Sequence, residues 1–494
     1  MNRCWEARLR QNWLISQNVE GVKALDKKNE MKKENDDIFK TLASHIVNTK
    51  YSDIPQPALA ITKMNIIDCL GTLIAGSSAE GCEILIDLMK EWGGKEESTI
   101  LIHGGKVPAH AAALCNSVMA RALDFDDAQQ NGMHPSAGLV PTALAIGEKL
   151  GGVNGRELLT AITLGADVAG RINYATLDYH GFDPTLTCNI FGTTTVAGKL
   201  LGLDENQMWN ALGLAFNECS GTFQSNADGV LAVRLNQGLA SYEGIMCAVF
   251  AQRGITGVKN ITQGNYNYFR LYSNDKADLE HLTVNLGKHF YGEKTIFKRW
   301  PSCGCTLIGT DLMVEIVEEE SLDSAQVDSI VATVGKFTFN LVGKDFTIGP
   351  NPQVDAQFSL QYAVANALLR RKPVIEHFTS EYIIVPEIQE LVGKVKIVLD
   401  PEVSPAGGDY RKTTLEVKLK DGRKISKTAL VSKGNPDNPV TMEDIIAKFQ
   451  NNVRFKPIIP KERTEQILTM VSSLENVSNT NELKDLLIIG NDDL

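Results

Sequence analysis

The stretch "AHAAALCNSVMARALDFDDAQQNGMHPSAG" occupies residues 109–138. Its first seventeen residues carry apolar side chains at helical spacing, so they read as one helix whose C-terminal end delivers Asp124, Asp126 and Asp127. Pro135 forces His134 out of α geometry and itself suits the first position of a second helix running to Leu150. The imidazole is thereby held at a helix N-terminus, where the macrodipole disfavours imidazolium and free N–H groups favour an anion. A neutral histidine facing a carboxylate or enolate fits that place; a plain cap without chemistry is the bland alternative. Helix, polar loop, helix: a stretch of this kind belongs to a mainly helical fold.

The same period extends outward from about Ile38 to Gly287, as in Ile66, Ile67, Leu70, Leu73 and Ile74 or Leu158, Leu159, Ile162 and Leu164. Breaks at "AGSSAEG", "GGVNG" and "LLGLDENQ" separate consecutive helices. After Lys294 the pattern changes. "SIVATVGKFTFNLV" alternates as a strand does, "AQFSLQYAVANALLRR" reads as one helix, and "TTLEVKLKDGRKISKTAL" sets Leu415, Val417 and Leu419 on one face before an Asp421-Gly422 hairpin turn. Amphipathic stretches near 442–452, 464–476 and 479–489 are expected to return to the helical part. The expected organisation is an N-terminal extension at 1–37, poorly ordered; a large all-helical domain at 38–288; a smaller α+β lid at 289–436; and C-terminal helices at 437–494. The extension has arginines but no apolar core of a signal peptide, and Met31 opens the first periodic segment.

Composition narrows the classes of function. The 494 residues hold 49 Lys and Arg against 60 Asp and Glu, a net charge of −11 without a basic stripe, so no nucleic-acid partner is expected. Apolar stretches such as "MNIIDCLGTLIAG" are broken before the roughly 18 residues that cross a bilayer, so no membrane partner is expected either. Nine cysteines without paired spacing fit a reducing, cytoplasmic setting. No metal is expected. A diphosphate-gripping DDxxD cluster fails because Gln130 stands four past Asp126, no Cys/His pair has zinc spacing, and Cys303-Gly-Cys305 lacks partners. A solvated helix end is the remaining plain reading of Asp124 to Asp127.

"AALCNSVMARALDFDD" followed by "HPSAGLVPTALAIGEKLGG" resembles the MmgE/PrpD family, which includes 2-methylcitrate dehydratases, cis-aconitate decarboxylases and iminodisuccinate epimerase. The likeness continues, in order, through "YSDIPQPALAITKMNIIDCLGTLIAG", "GRELLTAITLGADVAGRI", "FGTTTVAGKLLGL", "FKRWPSC", "AQFSLQYAVANALL" and "NPDNPVTMEDIIAKF". It implies a helical domain with an α+β lid, a homodimer, a site between the domains, no organic cofactor, and proton transfer next to a carboxylate followed by loss of water, loss of carbon dioxide or reprotonation. The family's catalytic positions fall on Asp124, His134 and Lys298. In that reading Asp124 accepts a hydrogen bond from one imidazole nitrogen, the other nitrogen acts as base, and Lys298 closes over the site from the lid.

Four positions depart from the family pattern: Ala128 replaces a Thr or Ser, Asp183 a histidine, Val233 a lysine, and Leu307 a histidine. Asp183, Arg234 beside Val233, and Cys303 are the expected substrate-binding residues, although Asp183 before Pro184 also reads as a helix cap. Fewer cations mean a pocket less suited to tricarboxylates, since each carboxylate needs charge-assisted donors. The expected function is therefore a cofactor-independent lyase, a dehydratase or decarboxylase of a small organic acid. An isomerase or epimerase acting on a less anionic carboxylate or carbonyl substrate is the alternative, and a catalytically inert homologue the third reading.

Overall fold

The computed structural model describes residues 38–402 and 412–489; the extension expected at 1–37 lies outside the described residues. The protein is mainly helical, with a smaller α+β unit. The helical part comprises α1 (38–48), α2 (Gln56–Gly76), α3 (Cys82–Trp92), α4 (Ala109–Arg121), α5 (Ser136–Lys149), α6 (Gly155–Ala175), α7 (Asn189–Leu200), α8 (Glu205–Asn217) and α9 (Ala232–Gln252). Local chemistry sets the boundaries. Asn154 accepts from the Glu157 N–H at the start of α6 while Glu157 bonds back, and Asp204 and Gln207 repeat the exchange at α8.

Small residues let these helices approach closely. A Cβ added to Gly165 of α6 would stand 2.9 Å from the Gly192 carbonyl oxygen of α7, so the α6–α7 contact is made backbone to backbone. Among the described residues α2 alone is long and apolar enough to span a bilayer, which the interrupted-run reading had not allowed. It lies inside the fold instead, with Ile66, Ile67, Leu70 and Leu73 wholly buried in the main hydrophobic core.

The α+β unit holds α10 (Leu307–Glu319), β1 (Val327–Val334), α11 (Leu360–Arg370), β2 (Val395–Leu399), β3 (Thr413–Leu419) and β4 (Lys424–Ala429). Its sheet has the order β2-β1-β3-β4, with β1 and β2 parallel and the other pairs antiparallel. Leu415, Val417 and Leu419 point together into a core shared with α10 and α11. Two expectations fail here. The strand read through 329–342 stops at Val334, and Lys336–Val342 is a helix. The single helix read over 356–371 is broken: one short helix ends at Gln357, and Ser359 caps α11 by accepting from the Tyr362 N–H.

The C-terminal helices α12 (Met442–Phe455) and α13 (Lys461–Ser472) return to α2. Phe449 of α12 packs on Gly71 so closely that a Cβ there would meet its ring at 3.0 Å. This contact carries Lys448 into the interior, beneath the loop that follows α4.

Candidate active site

Helix α4 ends in a turn where Asp124 adopts φ 51°, a left-handed backbone that aspartate tolerates better than most residues. The turn folds the Asp124 carboxylate back onto the Arg121 guanidinium of the same helix. Across from it, Ala128 and Ile296 exchange both backbone hydrogen bonds at 2.9 and 2.7 Å. That pairing sets Lys298 beside Asp124, and its ammonium donates to the Asp124 carbonyl at 2.8 Å and to the carboxylate at 2.9 Å. Ala128 thus contributes its backbone, which explains how the position works without a hydroxyl.

Burial raises the Asp124 pKa, but Lys298 and Arg121 outweigh it and hold the carboxyl well below the ordinary range. The guanidinium of Arg121 is likewise held charged by Asp124 and Asp126 against its own burial. Lys448 makes a third buried cation. It pairs with Asp68 at 2.6 Å and donates to the Phe125 carbonyl at 2.6 Å. Three cations therefore face Asp68, Asp124 and Asp126, and the fourth carboxyl has no cation left. Burial first, then the charge of Asp126, pushes Asp127 up to about 8. Asp127 is 1% exposed and accepts from the Ser136 N–H and hydroxyl at the head of α5, so of the two readings its sequence allows, a solvated helix-end residue or a partner of neighbouring backbone, the second holds.

His134 sits just before α5. Its Nδ1 lies 2.9 Å from the Asp127 carbonyl oxygen and 3.2 Å from an Asp126 carboxylate oxygen. A carbonyl only accepts, so Nδ1 carries the hydrogen and Nε2 presents its lone pair to the small chamber that His134 lines. Burial and then Arg121 lower the imidazole pKa, with Asp126 pulling the other way, so the ring is neutral at physiological pH. The carboxylate beside the imidazole is thus Asp126, not Asp124 as the sequence reading had it, and the hydrogen bond that orients the ring is the one to the Asp127 carbonyl. Asp124 is occupied by Arg121 and Lys298, and no imidazole hydrogen bond reaches it.

The chamber, about 40 Å³, is walled by Arg121, Asp124 and His134 from the helical part and by Cys303, Phe337 and Phe358 from the α+β unit. The Gln357 amide ties the two sides together by donating to the Leu123 carbonyl at 2.6 Å, and the Cys303 N–H fixes Gln357 on its own side by donating to its carbonyl at 2.9 Å. Asp124, Asp126 and His134 also bring one potential metal ligand each within 4.8 Å of one another. Arg121 and Lys298 already neutralise those carboxylates, so a divalent cation would meet two fixed positive charges.

Residues 40–280 match the MmgE/PrpD N-terminal domain and residues 300–476 the MmgE/PrpD C-terminal domain. The chain belongs to the MmgE/PrpD family. Its relatives include the cis-aconitate decarboxylases of Mus musculus and Homo sapiens, each 24% identical over 91% of this chain and over 93% and 94% of theirs. The cis-aconitate decarboxylase of Aspergillus terreus is 21% identical, over 89% of this chain and 94% of its own.

Not every family-derived position of this MmgE/PrpD chain meets the chamber. Cys303 does, and the neighbouring Cys305 thiol, followed by burial, raises the Cys303 pKa well above the usual value. Asp183 caps the short helix Pro184–Thr187 through the Thr185 N–H and accepts from the Asn236 amide at 3.0 Å; it is off the chamber wall. Arg234 donates to the Glu80 carbonyl at 2.8 Å and is off the wall too. Val233 and Leu307 are buried near the starts of α9 and α10. Lys298 is buried behind Asp124 and supports it from there, rather than closing over the chamber from a lid. The sequence reading missed Arg121, Asp126, Lys448 and the aromatic wall. Arg121 had one local signal, its place three residues before Asp124 at the polar end of an apolar helix.

Proposed function

We propose that this protein is a cofactor-independent lyase acting on a small unsaturated or hydroxylated organic acid, with His134 as the group that moves the proton. The observation that carries the reading is the His134 arrangement: Nδ1 bonded to the Asp127 carbonyl with Asp126 at 3.2 Å, which leaves Nε2 free on a ring that lines a small chamber beside Arg121. The family and the names of its cis-aconitate decarboxylase relatives support loss of carbon dioxide as the form of the reaction.

In that form the bond between the departing carboxylate carbon and its neighbour breaks, carbon dioxide leaves, and the electron pair enters the conjugated remainder of the acid. Arg121 stabilises the negative charge gathered there, the kind of preorganised electrostatic help that is worth most where water is excluded. An arriving carboxylate raises the His134 pKa, so Nε2 takes a proton from solvent and hands it to carbon. Asp126 supports the transient imidazolium through Nδ1. If water is lost instead, the same Nε2 removes the proton next to the carboxylate. A two-base isomerase needs a second group facing His134, and the residues expected for it, Asp183 and Lys298, are engaged as a helix cap and with Asp124.

The test is to incubate the protein with mono-, di- and tricarboxylic unsaturated acids and follow products by NMR. Release of carbon dioxide or water from any of them supports the lyase. Exchange or epimerisation without either loss favours the isomerase, and no reaction with any acid the inert reading.

A further inference from the structure

The chamber beside His134 adjoins a second, larger cavity of about 450 Å³, and the two share Phe223, Phe337 and Leu341 as bordering side chains. Phe223 comes from the loop after α8, and Phe337 and Leu341 lie one helical turn apart on the segment Lys336–Val342. The outer cavity's other walls are Gly181, Thr222 and Ala227, with Gln224 and Asn340 adding amides. Among the described residues, no Asp, Glu, Lys, Arg or His side chain lines it.

The two cavities differ in what they accept. The inner one, at about 40 Å³, has room for a carboxylate-sized group, a little more than the roughly 30 Å³ a water takes in the liquid. Its single wall cation, Arg121, is already paired with Asp124. A tricarboxylate would bring two further anions into mainly apolar surroundings without a cation, and burying an unpaired charge is costly. An apolar body would instead fill the outer cavity at a gain proportional to the area it removes from water.

We infer that the outer cavity is a subsite for an apolar substituent, so that the substrate is an unsaturated monocarboxylic acid carrying an aryl or medium-length alkyl group, its carboxyl end beside His134 and Arg121. This rests on the lyase reading for the chemistry but not for the binding. Phe337 and Leu341 set the length and girth of the substituent, and Phe223 faces it from the helical side.

Binding is measured by calorimetry with two probes, cinnamate and crotonate, on the wild type, Ala227→Trp and His134→Ala, with fumarate as a dianionic control. Cinnamate is expected to bind the wild type at least about tenfold more tightly than crotonate or fumarate, the order of gain for burying a phenyl group. Ala227→Trp places an indole in the outer cavity only, and should reduce the cinnamate-to-crotonate ratio several-fold. His134→Ala should keep the ratio. Equal affinity for the three acids, tighter fumarate, or an unchanged ratio in a folded Ala227→Trp overturns the subsite. Selectivity without turnover of any acid supports the subsite while removing the lyase reading, so the two stand or fall separately.

Discussion

Asp124 and Asp126 sit two residues apart with different work, and substitution separates them. Asp124→Asn leaves buried Lys298 without its anion and Arg121 with Asp126 alone, so it should cost about 3–5 kcal/mol of stability, read as a lowered unfolding midpoint. Asp126→Asn removes the negative charge beside the imidazole while the hydrogen bond to the Asp127 carbonyl keeps the ring's orientation; turnover should fall while folding is nearly kept. The opposite ranking in stability would contradict the assignment. Asp127 makes a pH-dependent prediction. It holds its proton to about pH 8, whereas an unfolded aspartate releases it near 3.8. The folded protein therefore binds more protons between those values, and stability falls as pH rises through that window, levelling above it. Asparagine can take both Ser136 hydrogen bonds without titrating. The melting temperature of Asp127→Asn, measured against wild type, should rise from about pH 5 to about pH 9; a constant difference would remove the protonated carboxyl. Chelators should leave activity and melting temperature unchanged, because two cations already occupy the carboxylates that could ligate a metal. Loss of a stoichiometric metal together with activity would contradict this.

At the scale of elements, much was legible and the errors have physical causes. The helix–loop–helix of residues 109–149 follows from apolar period and the proline signal, and β3 and β4 from strict alternation around Asp421-Gly422. The segment "GKFTFNLV" misled because Phe337, Phe339 and Leu341 alternate, yet Phe337 and Leu341 are also four apart, a spacing shared by both periods. Which one forms is decided by the wall they make with Phe223, a tertiary fact. The break before α11 had a local signal in Ser359, masked by the apolar continuity around it. Ser359→Ala should lower stability by about 0.5–2 kcal/mol through loss of the Tyr362 N–H bond. An unchanged unfolding midpoint would show that this cap carries no weight.

Across the whole molecule, the site joins segments that no local pattern links. Lys448 reaches the Phe125 carbonyl across 323 residues of chain, and Lys298 reaches Asp124 across 174. Asp124, His134 and Lys298 were nominated as the family's catalytic positions, while Lys448 and Arg121 lay inside stretches of family likeness and looked like ordinary residues of their helices. The charge balance is global: Lys448 pairs with Asp68, and Arg121 and Lys298 face Asp124 and Asp126, which leaves Asp127 to hold its proton and His134 free to shuttle one. That shuttle is the central claim. Its most direct test is the rate of deuterium incorporation from D2O into the product, followed by NMR for wild type and His134→Ala on an acid that turns over. The account predicts deuterium on the carbon next to a carboxylate in the wild type and a rate lower by about 10² to 10⁴ in a folded His134→Ala. A variant that incorporates deuterium at the wild-type rate would contradict it.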